Sequence, residues 1–227
     1  RLTRLREKCE LLAGWGVDRV LCARFDAALA ALEPQEFAGR LLVDGLAVQA
    51  LVVGDDFRFG RRRSGTVGLL REIGAERGFE ILHADTFSVG GERVSSTRVR
   101  EGLARGDFAE VRRLLGRNFS LSGRVAHGQK RGRTIGYPTA NLELHRRAVP
   151  LAGIFAVRVA GLAAGFVDGV AYVGTRPIVG GLKPLLEVHL FDYAGDCYGR
   201  QLRVEFIAKV RDEMNFDSFE AMRAQID

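Results

Sequence analysis

The feature that most constrains this chain is a change of period near residue 117. Before it, segments with helical spacing alternate with short apolar runs; after it, strand-like runs follow one another with no helix between them. Strands separated by helices imply a parallel sheet with crossover connections, whereas consecutive short strands imply an antiparallel barrel or sandwich. At 227 residues there is length for two modest domains, each with a core. The division falls at about residues 116–120, giving an α/β part over 1–117 and an all-β part over 118–227.

In the first part "LTRLREKCELLAGWG" has helical spacing, carried by Leu2, Leu5, Cys9 and Leu12. "DRVLCARF" reads as a short apolar strand and "EPQEFAGRLLVDGL" as a helix opening on Glu-Pro. "VQALVVG" is a continuous apolar run of the kind buried on both faces. A helix in "TVGLLREIGAERG", a strand in "FEILHADTFSV", and helices in "STRVREGLARG" and "DFAEVRRLLG" complete this part. In the second, "FSLSGRVAHG", "GIFAVRVAG", "GFVDGVAYVG", "LLEVHLFD" and "QLRVEFIAKV" are strands. "FDSFEAMRAQI" closes the chain as an amphipathic helix with Phe216, Phe219, Met222 and Ile226 near one face.

Several function classes recede at once. No run of eighteen apolar residues occurs, so no helical membrane span is expected. Cys9, Cys22 and Cys197 are odd in number and unpaired in spacing, which fits a reducing cytoplasm; the first two read as small core side chains. The four histidines show no metal-ligand spacing, which argues against structural zinc. The net charge of +6 is concentrated: from Val111 to Leu142 there are seven basic residues and no acid. A nucleic-acid surface is one reading of that charge and a compact anion site the other; charge alone does not decide. Arg makes up most of the basic residues, which composition bias also explains.

Four stretches have the means for chemistry. In "GRVAHGQKRGRTIGYPTAN", glycines at 123, 128, 132 and 136 allow close backbone approach, and the interleaved Arg and Lys suit a polyphosphate. Pro138 then sets a turn whose Thr139 and Asn141 offer oxygen ligands for a hard cation such as Mg²⁺; a plain barrel-end loop is the competing reading. In "LLEVHLFD" a two-residue period puts Glu187, His189 and Phe191 on one face, where Glu187 is either a general base or a solvent-facing strand residue. "VGDDFRFGRRRSG" follows an apolar strand, where ligands of parallel sheets gather, and is equally a solvated loop over two buried phenylalanines. In "SSTRVR", Ser95, Ser96, Thr97 and Arg98 open a helix, as caps or as a phosphate site.

Together these residues resemble the bacterial bifunctional riboflavin kinase/FAD synthetase family over essentially the whole chain. "GRTIGYPTANL", "VAYVGTRP", "LEVHLFD" with "GDCYGRQLRVEF", and "RDEMNFDSFEAMRAQI" follow in the family's order. "VGDDFRFGRRRSG" and "VSSTRVREGLARGD" are similar to the second half of its adenylyltransferase domain. The resemblance implies a partial nucleotidyltransferase-type α/β domain, then a Greek-key antiparallel flavokinase-like barrel with a C-terminal helix. It implies phosphorylation of riboflavin to FMN with ATP and Mg²⁺ in the cytoplasm, without nucleic-acid or membrane partners.

By matched position, Gly128, Gly132 and Arg133 would lie on the loop over ATP, Thr139 and Asn141 at the Mg²⁺ and phosphates, and Glu187 as the base for the ribityl hydroxyl. Arg211 and Asp212 would face the flavin; Ser96, Thr97 and Arg98 would belong to the adenylyltransferase ATP site. Tyr172 and Ile178 depart from the family, which often has Asn and Thr there. The family's His-x-Gly-His motif has no counterpart here, and the chain opens on Arg1 inside a helical pattern. The expectation is therefore a chain that begins within a domain and makes FMN without converting it to FAD, although the intact parent does both. A flavin- or nucleotide-binding module without turnover and a basic nucleic-acid-binding barrel are the alternatives; the latter lacks aromatic side chains for base stacking.

Overall fold

A computed structural model of the chain describes residues 1–126, 137–178, 181–214 and 216. In chain order, α1 (Leu5–Gly14) precedes α2 (Ala27–Ala31), α3 (Pro34–Phe37) and a π-helical stretch over Ala38–Gly45. Strands β1 (Ala50–Gly54) and β2 (Glu80–Ala84) flank α4 (Val67–Arg77), and β3 (Ser88–Val89) pairs with β4 (Glu92–Arg93). Helices α5 (Ser96–Arg105) and α6 (Phe108–Leu115) lead into β5 (Phe119–Ala126), β6 (Thr139–Glu143), β7 (Gly153–Ala163), β8 (Gly165–Ile178), β9 (Gly181–Leu190) and β10 (Gln201–Arg211). Two compact units result, one of Arg1–Trp15 with Val94–Asp227 and one of Gly16–Arg93.

In the Gly16–Arg93 unit, β1 and β2 pair in parallel, from Ala50 opposite Glu80 to Gly54 opposite Ala84. Its core gathers Ala38, Leu42, Val53, Phe59, Leu70, Ile73 and Phe79. Thr66 caps α4 by accepting from the Leu69 N–H at 3.2 Å. Three expectations are corrected here. "DRVLCARF" pairs with no strand among the described residues and is exposed throughout, so Cys22 is not a core side chain. "VQALVVG" is not buried on both faces: Val53 is buried but Val52 is 61% exposed. An apolar run needs a covered sheet on each side, and β1 has the core on one side only.

The larger unit is built on a closed antiparallel barrel in the order β10-β5-β6-β9-β8-β7. Since β7, β8 and β9 are successive neighbours and β10 returns beside β7, the order is a Greek key. Inward positions alternate as a two-residue period demands: Leu121 and Val125, Ala140 and Leu142, Phe155, Val157 and Val159, Ala171 and Val173, Leu186 and Val188, Leu202 and Val204 are all buried. Helix α6 adds Phe108, whose ring lies 5.7 Å from Phe155 and 6.4 Å from Phe206. Asp107 caps α6, accepting from the Glu110 N–H at 2.9 Å, and Gly116 ends it at φ +68.

Helix α1 belongs to the same unit, and of the spaced apolar residues, Leu2, Cys9 and Leu12 are half-buried while Leu5 is exposed. Leu5 is 58% exposed, while the side chains of Glu7 and Arg146 are only 8% and 4% exposed and form an ion pair. The other Glu7 oxygen accepts from the Ser122 N–H of β5 at 2.9 Å, and the Arg4 guanidinium donates to the Leu144 carbonyl at 3.0 Å. The fully buried contact of this helix on the barrel is an ion pair, and its leucines are at most half-buried. The C-terminal helix expected beyond Phe216 lies outside the described residues.

Candidate active site

Register across the barrel decides which polar residues meet. Arg211 lies opposite Ile154, Ile154 opposite Tyr172, Tyr172 opposite Glu187, Glu187 opposite Asn141, and Asn141 opposite Ala126. Directly paired residues of antiparallel strands point to the same face, with Cβ atoms about 4.5–5.5 Å apart. The adjoining residues Phe155, Ala171, Val188 and Ala140 are buried inside the barrel, so this row faces outward. The arrangement sets a carboxylate beside an amide on one outward face, groups able to accept a proton and to offer an oxygen ligand.

A second outward position on β6, Thr139, lies opposite His189. His189 Nδ1 sits 3.0 Å from the Pro138 carbonyl, and its ring packs edge-on against Tyr137 at 5.4 Å and Phe191 at 5.8 Å. The turn expected at Pro-Thr-Ala-Asn is corrected: Thr139 already begins β6, and Pro138 sits just before the strand, where a missing N–H costs no ladder bond. The strand alternation puts Thr139 and Asn141 on one face with Ala140 turned inward.

Past β10 the chain runs close to the row. Lys209 Nζ holds Asp212 Oδ1 at 2.6 Å, and the Arg211 guanidinium lies 5.6 Å over the Phe216 ring. The Tyr172 hydroxyl donates to Glu213 Oε1. Burial pushes the Tyr172 hydroxyl pKa up, and the hydrogen bond to the Glu213 carboxylate adds to it. Gly128, Gly132 and Arg133 lie outside the described residues, and Ile178 is the last residue of β8.

The remaining expected residues are at the start of α5. The Ser95 hydroxyl accepts from the Arg98 N–H at 3.2 Å; Ser96 and Thr97 are exposed. Arg98 is paired through Nε with Glu110 at 3.0 Å, and Arg105 shares that carboxylate at 2.7 Å. In the Gly16–Arg93 unit, Asp55 after β1 meets His83 Nε2 at 2.6 Å and Thr86 Oγ1 at 2.9 Å. Of the phenylalanines expected to be buried there, Phe59 is buried and Phe57 is half-buried. Glu213 and the Glu7–Arg146 pair were not foreseen, since both depend on residues far apart in sequence.

The barrel defines a class. Residues 115–227 match the riboflavin kinase family and residues 1–98 match the FAD synthetase family. A bifunctional riboflavin kinase/FMN adenylyltransferase of Escherichia coli (strain K12) is 52% identical over 226 residues, covering 100% of this chain and 72% of the relative. The enzyme of the same description from Pseudomonas fluorescens is 49% identical over 223 residues, covering 98% and 71%. A crystal structure described as a macrolide-efflux protein from Streptococcus pneumoniae superposes with a TM-score of 0.84 at 30% identity, covering 99% of this chain and 72% of that one. The chain belongs to the bifunctional riboflavin kinase/FMN adenylyltransferase family.

Proposed function

We propose that this chain transfers the γ-phosphoryl group of ATP to the terminal ribityl hydroxyl of riboflavin, giving FMN and ADP. Riboflavin and ATP are the substrates that the riboflavin kinase family implies. The observation carrying the proposal is the pairing of Glu187 with Asn141 across β9 and β6 on the outer barrel face. In this reading the Glu187 carboxylate accepts the hydroxyl proton as the oxygen attacks the γ-phosphorus and ADP departs. Phosphoryl transfer needs mainly positioning and charge stabilisation, which a rigid barrel face supplies.

Thr139 and Asn141 present neutral oxygen donors on one strand face beside a carboxylate, a donor set that fits a hard cation such as Mg²⁺. They would hold it, and bound there it would neutralise charge on the phosphates. Gly128, Gly132 and Arg133 cover ATP in this reading, and Arg211 and Asp212 line the flavin side. Ser96, Thr97 and Arg98 belong to the nucleotide site of an FMN adenylyltransferase part, residues 1–117, with the kinase part over 118–227. In this reading the reaction takes place in the cytoplasm. Among the described residues no helix is long and apolar enough to cross a membrane.

Incubation with riboflavin, ATP and Mg²⁺, followed by chromatographic separation of the flavins, tests this. FMN is the expected product, and any FAD would report activity of the adenylyltransferase part. Glu187→Gln should keep riboflavin binding and lower turnover by about 10²–10⁴-fold. Wild-type turnover in that variant would sink the base assignment, and folded wild-type protein that binds riboflavin without making FMN would be a binding module.

A further inference from the structure

The structure assigns Tyr172 a role beyond that reading, on which this assignment rests. We infer that Tyr172 is a positioning residue: its hydroxyl ties Glu213, and with it the segment Arg211–Glu213, to the strand next to Glu187. Three observations carry this. Tyr172 lies directly opposite Glu187 on one side and Ile154 on the other, and Ile154 lies opposite Arg211. Its hydroxyl donates to the Glu213 carboxylate, a neutral donor on a charged acceptor, which is the stronger kind of hydrogen bond. Its ring is directed along β8 over Gly174: a Cβ there would meet the Tyr172 hydroxyl and come within 3.1 Å of Cε1. The missing Cβ at residue 174 leaves the room that the tyrosine ring occupies.

The other side-chain ties described for this segment are local. Lys209 holds Asp212 at 2.6 Å, Arg211 Nη1 donates to the Asp212 carbonyl at 3.1 Å, and the Arg211 guanidinium covers Phe216 at 5.6 Å. They shape the segment within itself, and the ladder with β7 ends at Arg211, whereas the Tyr172–Glu213 bond joins the part beyond the ladder to β8. With Arg211 and Asp212 on the flavin side, the tie sets the wall that riboflavin meets and leaves the phosphate side unchanged.

The test uses the full chain. In Tyr172→Phe, the riboflavin Kd from flavin-fluorescence quenching should rise about tenfold, the loss of one charge-assisted hydrogen bond. The riboflavin KM should rise with it, while the ATP KM and kcat change by less than about twofold. Amide hydrogen exchange over 211–214 should quicken by about tenfold with the barrel strands unaffected. Glu213→Gln, which retains an acceptor, should lose less than Glu213→Ala, and Tyr172→Phe combined with Glu213→Ala should be no worse than either alone. An unchanged riboflavin Kd in Tyr172→Phe, or faster exchange without a change in Kd, overturns the assignment. A raised Kd in a protein that makes no FMN upholds the tie and removes the kinase reading; an unchanged Kd in an active enzyme does the reverse.

Discussion

Tyr172 keeps its proton further up the pH scale than a solvated tyrosine, because burial disfavours the phenolate and the neighbouring Glu213 carboxylate repels it. Its folded-state pKa lies above the ordinary value of 10.0, so the neutral hydroxyl contributes stability that is whole below about pH 10. That contribution is lost as pH rises through the raised folded-state value. Alkaline absorbance titration of tyrosinate should show a late step in the wild type that is missing from Tyr172→Phe. An identical titration in the two proteins would contradict the half-buried, Glu213-bonded hydroxyl. At the same scale, the residue types and motifs that single out Glu187, Thr139 and Asn141 are visible in the sequence. That Tyr172 is a donor for Glu213 is not, because the two residues meet only when β8 and the end of β10 are brought around the same barrel.

Among the elements, α1 shows most clearly how packing overrides pattern. Its leucine spacing implies an apolar seam, yet Leu5 stays exposed while the Glu7–Arg146 pair is buried against β5. Removing one partner of a buried pair leaves the other charged and unpaired, and Arg146 Nε already has no hydrogen-bond partner among the described residues. Glu7→Ala should therefore cost about 3–5 kcal/mol in urea unfolding, and Glu7→Met with Arg146→Met far less. Equal losses in both would mean that the pair matters for its shape and not its charge. The barrel strands behave oppositely. Their two-residue alternation was plain in the sequence, and Leu121, Val157, Val188 and Val204 point inward as it demands.

For the whole molecule, the two compact units differ in how they cover their apolar surface. The barrel is closed, so every strand in it has a partner on each side. The Gly16–Arg93 unit has two two-stranded sheets and leaves Leu21, Phe25, Val52, Leu82 and Phe87 exposed. Fewer buried contacts mean lower local stability, so first proteolytic cuts and fastest hydrogen exchange are expected within residues 16–93. First cuts within β5–β10 would contradict this.

The sequence by itself determined the class of each part, because the burial periods of helix and strand are local and survive without a partner. It also carried the chemical types of the proposed site, since Glu, Asn and Thr keep their chemistry wherever the chain puts them. Only the tertiary structure decided which of them meet. The row from Arg211 through Tyr172 and Glu187 to Asn141 is a matter of register around a closed barrel. Register is set by pairing between distant strands, where a slip of one residue would turn each of these side chains to the other face.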